Sequence, residues 1–240
     1  MEWTTKKERR VISEMAEEPR GKGSDGSIID DLLTKPPPGY VFIVLASQDS
    51  HYDLFMLTLI RRALELKLST LEVVTEARNR ALMSELAEMQ NNGFQIMEVG
   101  YGQKTLGVHT CSPHLHEINI QLRSLRKDIK PNLITFEGLT PLLIDFSARD
   151  VVQFFKECVE ESIKIGSNEF YLVHDETADS VTVNQLLSLA QGIVTLSTSR
   201  GKHYLSVKKA KGVELPYNAI EYVPQMSSEK RADWKIEWNW

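Results

Sequence analysis

At 240 residues, 42% of them hydrophobic, the chain can bury one substantial core, and its formal charge of −5 at pH 7 offers no electrostatic footprint for nucleic acid. No window holds the roughly 18 consecutive apolar residues that a membrane span needs, and the polar residues 1–10 lack the apolar centre of a secretory signal. Cys111 and Cys158 are the only cysteines, too few for a disulfide framework, so a reducing cytoplasmic setting is expected.

Residues 1–27 are rich in Lys, Arg, Glu, Gly and Ser without apolar periodicity and read as a flexible leader. The run Lys35-Pro36-Pro37-Pro38-Gly39 cannot continue a helix and delivers extended chain into a first strand at 41–45. Apolar strands at 70–75, 94–99, 132–137 and 169–174 then alternate with helices at 54–66, 78–90, 114–128 and 148–165. That alternation predicts an α/β fold: a mostly parallel sheet flanked by helices on both faces. After a further helix at 181–190, residues 192–197 and 203–208 alternate apolar and polar around Thr198-Ser199-Arg200-Gly201. This is a hairpin signal, so an antiparallel edge should close the sheet at its C-terminal side. The core is accordingly read as 28–222, and 223–240 as a Trp-rich tail.

All four tryptophans, Trp3, Trp234, Trp238 and Trp240, lie outside the predicted core. In the tail, large apolar residues alternate strictly with polar ones, which puts Trp234, Ile236, Trp238 and Trp240 on one face of a strand. Such a face either docks on the protein's own surface or serves as a partner-binding strand, adding to another subunit's sheet or groove.

Between the first strand and the helix at 54–66 the chain reads Ala46-Ser47-Gln48-Asp49-Ser50-His51-Tyr52-Asp53. A phosphate-binding protein carries there a Gly-rich loop ending in Gly-Lys-Thr. Further on, Asn132-Leu133-Ile134-Thr135-Phe136-Glu137 is an apolar run ending in an acid, and Tyr171-Leu172-Val173-His174-Asp175-Glu176 a second strand with a polar end. Val207-Lys208-Lys209-Ala210-Lys211-Gly212 closes the hairpin with basic residues. In this order and spacing, residues 28–222 resemble the KaiC/RadA-like branch of the RecA ATPase superfamily. The likeness covers most of the chain and rests on order more than on invariant motifs.

The resemblance assigns roles position by position. Ala46, Asp49 and His51 fall on the loop's three glycines, Tyr52 on its phosphate-binding lysine and Asp53 on its magnesium-binding hydroxyl residue. Glu137 stands where the family's metal-positioning Asp stands, one methylene longer, and Glu76 near its water-activating glutamate. Lys209 and Lys211 match a basic element that reaches a neighbouring subunit's phosphate in trans; as Lys, the second loses Arg's bidentate fork. Bottom-up, the replacements oppose phosphate: glycine lets backbone approach it closely, whereas Asp49 and Asp53 put carboxylates where its oxygens would sit. Asp53 is also suited to cap its helix, and Glu137 to be a polar residue at an exposed strand end.

Other chemistry finds less support. His109, Cys111, His114 and His116 are zinc-ligand types, but Ser112-Pro113 reads as a helix cap and first-turn proline, and residues two apart on a helix diverge. No metal site is therefore assigned, and Ser50-His51 and His174-Asp175 lack any nucleophile signature. The expected loop 139–147 carries no Lys or Arg, and Arg123, Arg126, Lys127 and Lys130 read as a solvated helix face. The expected function is thus a pseudo-ATPase: a regulatory or structural interaction subunit, without a cofactor beyond at most weak ATP, that associates with itself or a RecA/KaiC-like paralogue. Two alternatives stay open. One is an ATP-binding ATPase with a remodelled pocket served by Glu76, Glu137, Lys209 and Lys211; the other is a RecA-like DNA-binding accessory protein.

Overall fold

Strands whose two faces are both apolar must be covered on both sides, and that requirement shapes the molecule. The computed structural model describes residues 28–75, 93–100, 108–176, 179–216, 218–225 and 235–239. Its strands are β1 (Val41–Ala46), β2 (Thr70–Val74), β3 (Phe94–Val99), β4 (Val108–Cys111), β5 (Leu133–Glu137), β6 (Asn168–His174), β7 (Gly192–Ser199), β8 (Lys202–Ala210), β9 (Ile220–Gln225) and β10 (Lys235–Asn239). They form one ten-stranded sheet in the order β10-β9-β8-β7-β1-β6-β5-β2-β3-β4. Every neighbouring pair from β7 to β4 is parallel, and the β7–β8, β8–β9 and β9–β10 pairs are antiparallel. The α/β architecture and its antiparallel C-terminal edge match the sequence reading.

The described helices are α1 (Ile28–Thr34), α2 (Tyr52–Glu65), α3 (Leu115–Ile129), α4 (Leu139–Asp145), α5 (Ala148–Ile165) and α6 (Ser180–Leu189). The two-residue period of β1 splits its side chains between two cores. Phe42, Val44 and Ala46 pack with residues of α1 and α2, while Val41 and Ile43 pack with residues of α3, α5 and α6. Local signals set the helix ends. Ser147 Oγ accepts the Asp150 N–H at 3.2 Å ahead of α5, and Asp179 Oδ1 accepts the N–H groups of Val181 and Thr182 at 3.0 and 2.9 Å ahead of α6. The turn between β7 and β8 places Arg200 and Gly201 both at positive φ, 53° and 74°, as a two-residue hairpin loop requires.

Several segments differ from expectation. The stretch ahead of the proline run forms α1, held because Ile28, Ile29, Leu32 and Leu33 are buried and Asp30 meets Arg62 of α2 at 2.5 Å. The expected loop at 139–147 is largely α4, whose Pro141 sits in the first turn, where a missing N–H does no harm. The His-rich connection contains β4, and α3 starts at Leu115 with His114 at its cap position, so Ser112-Pro113 precede the helix. The boundary after residue 222 falls inside β9, and β10 continues the same sheet, pairing Trp238 with Tyr222 and Ile236 with Pro224. The expected helix 78–90 lies outside the described residues, as do Glu76, Trp3, Trp234 and Trp240.

Candidate functional site

Strand order defines the site. From β1 the chain passes through α2 toward β2 on one side of the sheet; from β6 it passes through α6 to β7, beyond β1 on the other side. Neighbouring connections that diverge in this way open a crevice outside the carboxyl ends of β1 and β6, the usual ligand position in such sheets. Residues 47–51 occupy that place.

The loop is spent on its own chain. Ser50 is fully buried; its N–H and Oγ both donate to the Ser47 carbonyl, at 3.1 and 2.6 Å. Ser47 donates its N–H to the Leu196 carbonyl at 3.0 Å and its hydroxyl to Asp49 Oδ1 at 3.1 Å. From the antiparallel wing, Thr198 Oγ1 donates to the Asp49 carbonyl at 3.2 Å and the Tyr222 hydroxyl to the Ser50 carbonyl. His51 takes a left-handed conformation, φ 51° and ψ 43°, so the bend that the resemblance assigns to a glycine is kept by a residue with a ring. His51 occupies the cap position of α2 without a side-chain cap; Asp53, expected there, lies in the first turn and accepts the Leu54 N–H at 2.9 Å.

Tyr52, which the resemblance sets at the lysine position, turns its ring edge-on to His174 at a centroid distance of 4.6 Å, joining the ends of β1 and β6. The His174 N–H donates to Thr140 Oγ1 at 2.9 Å, and the Asp175 N–H to the Ala46 carbonyl at 3.2 Å. Asp175 and Glu176 are exposed. Glu137 ends β5, with β6 between it and β1, and is 3% exposed rather than open to solvent. Thr75 Oγ1 bridges the carbonyls of Glu137 and Gly138 at 2.6 and 2.8 Å.

The basic element is not brought to the loop. Lys209 pairs with Ile193, itself opposite Ile43, toward the amino end of β1, whereas the loop leaves its carboxyl end. Lys209 Nζ donates to the carbonyls of Leu187 and Ala190 at 3.0 and 2.6 Å, satisfying the open end of α6. Burial, then neighbouring Lys211, lowers its pKa; Lys211 itself is exposed. In the tail, Ile236 is buried in the core shared with Phe42 and Tyr222, and Trp238 packs against the same core with its ring 5.8 Å from Tyr222. The described part of the apolar tail face therefore docks on its own chain.

Two arrangements escaped the sequence reading. Arg126, read as part of a solvated basic face, is fully buried and meets Glu169 of β6 at 2.7 Å. Its spacing from Ile118 and Leu122 on the apolar side of α3 carries the signal. The second is a row of rings: His51 edge-on to His203 at 5.0 Å, His203 stacked with Tyr222 at 5.5 Å, then Tyr222 and Trp238. Its members come from four separate segments, so no local spacing announces it.

Among the described residues no three His, Cys, Asp or Glu side chains are grouped to hold a metal, and no helix is long and apolar enough to cross a membrane. No protein-family profile and no curated protein matches the sequence. Among solved structures, the chain is similar to a KaiC-like protein from the hyperthermophilic archaeon Pyrococcus horikoshii: TM-score 0.64, 11% identity, covering 84% of this chain and 90% of that one. The fold is therefore KaiC/RecA-like.

Proposed function

We propose that this chain is a pseudo-ATPase, a KaiC/RecA-like subunit that acts through association rather than turnover. One observation carries the reading. The loop at the carboxyl end of β1 has no glycine and no lysine, and its Ser47, Asp49 and Ser50 carbonyls accept hydrogen bonds from its own chain. Phosphoryl transfer depends almost wholly on a preformed cradle and positive charge. Here an entering phosphate would meet Asp49 and Asp53 instead, at a helix start that favours anions only while no carboxylate already occupies it. Lys209, the first of the two basic positions of the resemblance, is engaged at the far end of α6 and does not compensate.

The partner class is a second copy or a RecA/KaiC-like paralogue. Ile144 on α4 and Val181 at the start of α6, 71% and 65% exposed, lie toward the carboxyl end of the sheet and supply apolar contact there. Calorimetric titration with Mg-ATP tests the reading. No heat at millimolar nucleotide is the expected result, and micromolar binding would overturn it in favour of an ATP-binding enzyme with a remodelled pocket.

A further inference from the structure

The row of rings joins the rewritten loop to the antiparallel wing at two histidines. His51 comes from the loop, and His203 from β8. The ring centroids are 5.0 Å apart and the planes nearly perpendicular, at 76°. His203 Nδ1 lies 3.1 Å from Thr198 Oγ1, the hydroxyl that also reaches the Asp49 carbonyl. Its other flank is the Tyr222 ring, and Tyr222 donates its hydroxyl to the Ser50 carbonyl. Beyond the Ser47 N–H bond to the Leu196 carbonyl of β7, the fastenings described between the loop and the wing thus involve His203 or a group in contact with it.

We propose that His203, seated against His51, Thr198 and Tyr222, is an acid-released latch, which holds residues 47–51 against β7–β9 while its ring is neutral and lets them go when it is charged. The groups that decide this can be named for every packed element. The loop contributes His51, which opposes charge on His203, and the Asp49 carboxylate, which favours it. Thr198 from β7 is neutral, as is Tyr222 from β9, whose ionisation is suppressed first by burial and then by Asp49 and by Asp53 of α2. Trp238 of β10 closes the row and carries no charge.

Burial, reinforced by His51, lowers the His203 pKa below its ordinary 6.5, so the open loop binds protons more readily than the latched one. The latch is therefore fully closed above pH 6.5 and weakens as the pH falls below it. The latch is independent of nucleotide binding and needs no ligand.

Hydrogen exchange of the full chain at pH 7.5 and 5.5, corrected for intrinsic rates, tests it at the amides of Ser50, Leu54 and Phe55. All three donate to carbonyls of the latched segment, Ser50 to Ser47 and the other two to His51. Protection there should fall about tenfold at the lower pH relative to amides of β1 and β6, and His203→Gln should abolish most of that difference. Equal protection at both pH values, or an undiminished loss in the variant, would overturn the proposal. If the variant does not fold, histidine ring titration of the wild-type chain by NMR decides. Loop signals that move with the His203 midpoint support the latch, and loop signals with no inflection there refute it.

Discussion

Arg126 and Glu169 meet at 2.7 Å with neither side chain exposed, and Glu169 also accepts the hydroxyls of Ser167 at 2.7 Å and Tyr171 at 2.5 Å. The pair ties α3 to a central strand, and either charge alone would be stranded in the core. Arg126→Met should lower unfolding free energy by about 3–5 kcal/mol, measured by urea titration at neutral pH. A loss below about 1 kcal/mol would mean that water reaches Glu169. The cysteines follow the same logic of burial. It pushes the thiols of Cys111 and Cys158 up to about 11, so each is overwhelmingly protonated at neutral pH. Cys158 is fully enclosed and should resist alkylation in the native state, while the partly exposed Cys111 should react about tenfold faster per pH unit between pH 7.5 and 9.5. Rapid labelling of both at pH 7.5 would contradict this.

Close packing at the level of elements explains where the sheet tolerates no side chain. A β-carbon on Gly192 would lie 2.1 Å from the Phe42 ring, so β7 approaches β1 only because that position is bare. Gly192→Ala should cost about 1–3 kcal/mol, read as a lower thermal midpoint, unless Phe42 swings aside. Ile236 is the buried anchor of β10, and Ile236→Ala should cost about 2–5 kcal/mol without changing the midpoint's dependence on protein concentration. A concentration-dependent change would assign the tail to an interface between chains. These elements also show what the sequence made legible. Buried strands such as β1 and β6 carry unbroken apolar runs, and the Arg200-Gly201 turn names its own geometry. By contrast, β4 is four half-buried residues, and α4 hides behind Gly138 and Pro141, which read as loop until tertiary packing gives the first-turn proline a place. The loop at 46–53 was legible as a strand-to-helix turn without glycine or lysine. Its fastenings were not, because Thr198, His203 and Tyr222 reach it from across the fold.

At the scale of the molecule, the tail and the body share one core. Ile236 and Trp238 pack in the same cluster as Phe42, Phe55, Leu59 and Tyr222, which also takes in Ile28, Ile29, Leu32 and Leu33 of α1. A tail that is a separate unit would detach before the sheet melts, whereas a tail that completes the core should leave only with it. Tryptophan fluorescence can distinguish these cases because no tryptophan lies between residues 4 and 233. A variant with Trp3, Trp234 and Trp240 replaced by Phe keeps Trp238 as the sole reporter, seated against Tyr222. Its fluorescence should change at the same urea concentration as the far-ultraviolet circular dichroism of the whole sheet. A fluorescence transition well ahead of the dichroism would make β10 a detachable strand, free to pair elsewhere. Coincident transitions would make its cis pairing with β9 part of the fold itself, leaving association to other surfaces such as those around Ile144 and Val181.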